Sequence, residues 1–248
     1  MDAAARRRAC LDAMGVTAWV PRHPPAADLP VETPACEAGE ASAVEAPPAA
    51  PLPAGAVAGP AAGLDWDGLA AAVAACRRCE LHEGRTQTVF GVGNRSARWL
   101  VIGEAPGQEE DRRGEPFVGR AGQLLNSMLE ALGLSRGEVY IANILKCRPP
   151  NNRDPKPDEV ACCAPWLARQ VELLAPQIIL CVGRIAAQNL LGVQTPIGKL
   201  RGQRHVHAAT GIPVVVTYHP AYLLRSPAEK RRAWQDLLFA RRVHAETA

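Results

Sequence analysis

Aromatic residues are scarce in this 248-residue chain, at 4%, and long apolar runs are missing. No window of about 18 apolar residues occurs, so no membrane-spanning helix is expected. The basic start, Arg6, Arg7 and Arg8, leads into no apolar stretch, which argues against a secretory signal. Hydrophobic residues reach 48%, but much of that is Ala, which buries little surface. The chain is too long for a small disulfide-stapled scaffold. Its eight Cys are therefore expected to be metal ligands or inert thiols in a reducing cytosol.

What is present is unevenly spread. Residues 1–63 carry four Arg against seven Asp or Glu, a balance of −3, while residues 64–248 carry 24 Lys or Arg against 18 Asp or Glu, a balance of +6. The basic part points to a polyanionic partner. Residues 24–63 hold 14 Ala, nine Pro and four Gly and no aromatic. Such a stretch cannot bury enough apolar surface to offset its chain entropy, so a disordered linker is expected. Ahead of it, residues 1–23 place Leu11, Met14 and Trp19 where they can line one side of a short helix. A helix this short is marginal alone. It is either a docking peptide or a piece that folds back on the main domain or trails from it.

From residue 64 the pattern alternates. Apolar runs at 98–103, 139–145, 176–183 and 213–220 read as strands. Helices are expected from an Asp65 cap to about Ala75, over 121–134, 157–174 and 184–192, and over 226–243 with Ser226 as cap. The alternation predicts an α/β domain over 64–248, three-layered α/β/α, around a central four-stranded, mainly parallel sheet. In such sheets ligands bind beyond the carboxyl ends of the strands. After the first strand comes a Gly/Pro-shaped loop, GEAPGQEEDRRGEPFVGRAG (103–122), with Glu104, Glu109, Glu110, Asp111 and the apolar Phe117. Asn143 sits near the end of the second strand, and an amide there presents a donor and an acceptor to a planar heterocycle. His219 ends the fourth strand in YHPAYLLR (218–225). His205 and His207, with no carboxylate or Cys nearby, read as surface residues.

Cys76 and Cys79 form C-x2-C, Cys147 follows the second strand, and Cys162 and Cys163 lie in the next helix. Four Cys in this arrangement suit an iron–sulfur cluster or zinc. Arg77, Arg78, Lys146 and Arg148 are placed to offset thiolate charge. Cys181, inside an apolar strand, reads as a core residue, and Cys36 falls in the linker.

The segments CRRCELHEGRTQTVFGVGN, GEAPGQEEDRRGEPFVGRAGQLL, YIANILKCRPPNNRDPKPDE and TYHPAYLLR together resemble the family 4, iron–sulfur type of uracil-DNA glycosylases. The resemblance covers residues 76–238. It implies a [4Fe–4S] cluster on Cys76, Cys79, Cys147 and Cys163, with Cys162 not needed. It also implies a bacterial cytosolic repair enzyme, monomeric, acting on uracil-containing DNA. Phe117 would stack on the flipped uracil, Asn143 would bond its edge, and His219 would sit against O2. Glu104, Ala105, Pro106 and Gly107 would line the pocket. Glu104 or Glu110 would orient water or stabilise the cationic sugar, and Glu110 would stand in the wall that refuses the thymine methyl. Leu224 and Arg225 would contact DNA and fill the vacated stack. A subgroup that traps DNA covalently carries a KRRIH-like insert and GEQPG; CRPPNNRDPKP and GEAPG stand here, so turnover is expected. A non-catalytic nucleic-acid reader with zinc in the four-Cys site is the competing reading. The start, RR…LDAMGVTAWVPR, resembles the N-terminus of the psi subunit of the bacterial clamp loader, which implies a replication partner for residues 6–22.

Overall fold

A computed structural model describes residues 59–247. The segments 1–23 and 24–58, with the docking helix and most of the linker, lie outside the described residues. The remaining linker residues, 59–63, form a turn, and Ala61 is fully buried in the core. Its small side chain fits a close approach, so ordered structure reaches back past residue 64.

The domain opens with α1 (Trp66–Ala74), whose Asp65 cap accepts from the Gly68 N–H at 2.8 Å. The short α2 (Leu81–Gly84) follows, then β1 (Val92–Gly93), β2 (Trp99–Gly103), α3 (Gln108–Arg113) and α4 (Arg120–Ala131). Next come β3 (Val139–Asn143), α5 (Pro157–Leu174), β4 (Ile178–Val182), α6 (Arg184–Leu191) and α7 (Ile197–Leu200). The chain ends with β5 (Arg204–Val206), β6 (Pro213–Thr217), α8 (Pro220–Arg225) and α9 (Lys230–Thr247).

The sheet has six strands, ordered β1-β3-β2-β4-β6-β5, where four were expected. The four expected strands form its parallel centre. The two additions are edges, β1 antiparallel to β3 and β5 antiparallel to β6. With two and three residues they are too short to show alternation. Every residue of β2, β3, β4 and β6 is buried. Alternate side chains feed two cores. Leu100, Ile102, Ala142, Ile179 and Val216 pack with α1, α5 and α6, whereas Val101, Ile141, Leu180 and Val215 pack with α4 and α9. Layers on both faces explain why the strands read as continuous apolar runs. After β2 the chain turns to β3 on one side, then crosses to β4 on the other. This reversal opens a crevice at the carboxyl ends of β2 and β4.

Three local expectations change. The loop after β2 contains α3, a helix of charged residues with no apolar stripe. Ser226 opens a single 3-10 turn, Pro227–Glu229, without a side-chain cap bond, and the long helix starts at Lys230. His207 is buried rather than on the surface, its Nδ1 2.8 Å from Thr210 Oγ1, because the β5–β6 connection folds over it.

Candidate active site

The crevice takes residues from the ends of β2 and β3 and from the segments that follow β2 and β6. Gly103 ends β2, and a Cβ there would lie 2.4 Å from Asn143 Oδ1 and 2.6 Å from Phe117 Cζ. The absent side chain is what lets the Asn143 amide and the Phe117 ring meet. Asn143 ends β3 and is 2% exposed, and its Oδ1 is buried with no hydrogen-bond partner among the described residues. An orphaned acceptor of this kind costs roughly 1–3 kcal/mol unless a ligand donor reaches it.

Phe117 has a φ of 55°, uncommon for an aromatic residue. The Arg136 guanidinium grips this kink by donating to the carbonyls of Pro116 and Phe117 and to Asn126 Oδ1. Gly122 permits it, since a Cβ there would stand 1.8 Å from the Phe117 carbonyl oxygen. Glu110 Oε1 accepts from the N–H groups of Val118 (3.0 Å) and Gly119 (3.2 Å), closing the loop from α3 onto the residues that follow Phe117. Asp111, buried, ties the same helix to the Thr86 N–H at 3.0 Å.

The His219 ring centroid lies 5.6 Å from that of Phe117. His219 caps α8, its Nδ1 accepting from the Ala221 N–H at 3.1 Å. Burial, with help from the Arg225 charge, pushes its pKa down to about 4, against the pull of Glu110. The ring is therefore neutral near pH 7. With Nδ1 occupied as acceptor, the proton sits on Nε2, which is left as a donor.

Phe117, Asn143 and His219 are thus gathered into one pocket, with Glu110 beside it. Glu104 is placed differently. Its charged neighbours are Asp154 and Arg184, which pair with each other at 2.9 Å. Burial and Asp154 raise the Glu104 pKa to about 7, with Arg184 opposing. Pro106 is buried, Ala105 packs toward the α1/α5 core, and Gly107 caps α3. Leu224, half-buried, and Arg225, exposed, end α8 next to the pocket. Arg136, Arg184 and Asp154 escaped the sequence reading because only folding brings them to the site.

A separate small cavity is lined by Cys76, Cys79, Cys147, Cys162 and Cys163 with Arg78, His82, Arg85, Lys146 and Trp166. The thiols surround this space rather than meet at a point. Among the described residues no three His, Cys, Asp or Glu are placed to hold a single ion. Burial raises the thiols of Cys79, Cys147 and Cys163, the last to about 12, and each also feels neighbouring Cys. Arg85 Nη1 donates to Cys147 Sγ at 3.1 Å, and the Trp166 Nε1 is buried without a partner among the described residues. Cys162 Sγ instead contacts the Arg78 carbonyl oxygen at 3.2 Å. Five thiols, three cations (Arg78, Arg85 and Lys146) and an orphaned donor around one space fit an anionic multi-metal group better than one ion. Cys181 is fully buried in the core. Arg148 turns to Asn152, and Arg85 takes the cationic place expected of it.

The Uracil DNA glycosylase superfamily profile matches residues 90–238, and the chain belongs to that superfamily. It is 47% identical over 167 residues to the type-4 uracil-DNA glycosylase of Archaeoglobus fulgidus, covering 65% of this chain and 84% of the relative. It is 44% identical over 158 residues to the type-4 enzyme of Thermotoga maritima, covering 63% and 82%. A type-5 uracil-DNA glycosylase of Thermus thermophilus is 33% identical over 149 residues, covering 53% and 68%.

Proposed function

We propose that this protein is a DNA repair enzyme that flips deoxyuridine out of DNA, hydrolyses its N-glycosidic bond and leaves an abasic site. The observation that carries the reading is the orphaned, buried Asn143 Oδ1 beside Phe117 and His219. A uracil between them offers its N3–H to that oxygen. The base must leave the stack before its sugar bond can be reached. Phe117 then replaces part of the lost stacking, worth roughly 1–3 kcal/mol per base.

As the bond breaks, negative charge gathers on uracil. The His219 Nε2–H donates to O2, and a donor aimed at developing charge is worth about 3–4 kcal/mol. A neutral ring does this without trapping the anion as a proton donor would. Glu104 orients water or steadies the cationic sugar. Glu110, fixed by the Val118 and Gly119 N–H groups, forms the wall near C5 that refuses thymine. Leu224 and Arg225 meet the DNA, and the +6 balance of residues 64–248 serves its phosphates.

Cys76, Cys79, Cys147 and Cys163 would hold a [4Fe–4S] cluster. Such a group would supply a cross-link between α1, the segment after β3 and α5, since the hydrolysis consumes no electrons. Residues 6–22 would tether the enzyme to a clamp-loader partner, and deletion of residues 1–23 would abolish that binding.

The test incubates the purified full chain with uracil-containing oligonucleotide, followed by alkaline strand cleavage. Cleavage at uracil that is lost in Asn143→Ala is expected. Intact strands with the wild-type protein would overturn the reading.

A further inference from the structure

Lys146 is 1% exposed, buried between the cysteine cavity and the pocket. Its Nζ donates to the backbone carbonyl of Asn143 at 3.0 Å and to Gln170 Oε1 at 2.6 Å. Gln170, fully buried on α5, continues the chain, its Nε2 donating to the Phe90 carbonyl (2.9 Å) and to Tyr140 Oη (3.3 Å). Both acceptors of the ammonium are neutral oxygens. Lys146 also lines the cysteine cavity, so the thiolates of a loaded site would supply the anion that its charged form needs.

The backbone around it is equally fixed. The N–H groups of Ile144 and Leu145 donate to the carbonyls of Gly103 (2.9 Å) and Glu104 (3.0 Å), and the Lys146 carbonyl accepts from the Val89 N–H (2.8 Å). Three residues separate Asn143 from Cys147, and each of them is tied to a neighbouring segment through one main-chain group.

We infer that Lys146 is a positioning residue that couples the cysteine site to the base pocket. Its ammonium, held by the thiolates of a loaded site, keeps the Asn143 carbonyl in place and so aims the Asn143 amide at the flipped base. This rests on the functional reading above. It gives the cysteine site a role in uracil recognition without electron transfer. Arg85 supplies the contrast. It donates to Cys147 Sγ and to the Ala74 carbonyl and makes no bond to Asn143.

The test compares wild type, Lys146→Met and Arg85→Met, each as the full chain purified with its iron. Three quantities are read: the rate of iron loss in air, the DNA dissociation constant, and the single-turnover rate of uracil release by the iron-loaded fraction. Both variants are expected to lose iron faster. Lys146→Met is expected to slow uracil release by roughly 10–100-fold, the usual effect of a group that orients a ligand, with DNA affinity retained. Arg85→Met should slow it far less. A wild-type release rate in loaded Lys146→Met, or equal slowing in Arg85→Met, overturns the inference. Should Lys146→Met fail to fold, Gln170→Leu, which leaves Lys146 only the Asn143 carbonyl, must shift release in the same direction by a smaller factor. An unchanged rate there overturns it too. A wild-type protein that releases no uracil sinks the functional reading itself.

Discussion

The base pocket and the cysteine cavity lie four residues apart in the chain at Asn143 and Cys147, yet they are built on different principles. The pocket takes its parts from strand ends whose main chains are already paired in the sheet. Backbone N–H groups fix Glu110 and His219, and missing Cβ atoms at Gly103 and Gly122 make room. It is preformed. The cavity takes its thiols from the end of α1, the segment after β3 and the middle of α5. Those pieces share the apolar core of α1 and α5, and a bound group would add a cross-link between them. Closing a chain loop as long as that from Cys76 to Cys163 constrains the unfolded state strongly. Preformed geometry serves transition-state stabilisation, whereas a bound cross-link serves stability.

That contrast can be broken most directly at His219. His219→Ala should lower single-turnover uracil release by about 10²–10³-fold, the usual loss of one donor to developing negative charge, while the melting temperature stays near wild type. A large drop in melting temperature would mean that the pocket is not preformed.

Cys147→Ser should behave in the opposite way. Its iron absorbance should vanish and its thermal transition should fall clearly, as for a domain that draws folding free energy from its metal. Cys147→Ser protein with full colour would remove the distinction between the two regions.

A third prediction sharpens the pocket side. The Glu104 carboxyl, raised to about 7, is largely protonated below that pH, so its activity as a carboxylate should grow as pH rises through about 7. In Glu104→Gln this limb of the pH–rate profile should disappear. The sign for stability is the reverse. A raised carboxyl binds its proton more tightly when folded, so its burial costs nothing below its ordinary range and most above pH 7. Glu104→Gln should therefore gain melting temperature relative to wild type at pH 8 more than at pH 5. Cys162→Ser should do least of all, with colour and melting temperature both retained, because its sulfur spends its hydrogen bond on the Arg78 carbonyl.

Much of this was legible in the sequence where a physical signal was strong. The α5 helix was read as residues 157–174 because Pro157, Asp158 and Glu159 mark its start and an apolar face follows. The four central strands stood out as continuous apolar runs. Asn143 and His219 were singled out because polar residues at strand ends are conspicuous there. The failures share a cause. β1, β5 and α3 are too short or too charged to leave a period, and His207 is buried by a connection that no local pattern announces. Arg85 and Arg136 matter through partners 62 and up to 20 residues away, and Lys146, expected beside the thiols, bonds Gln170 24 residues away, separations at which spacing says nothing.

The two short edge strands carry one more consequence. A parallel sheet of continuous apolar strands would, if left open, invite a strand from another chain to add to it. Here β1 offers two residues at one side. β5 offers three at the other, with Arg204 facing solvent and leaning on Glu246 at 3.6 Å. Neither presents a ladder long enough to template polymerisation.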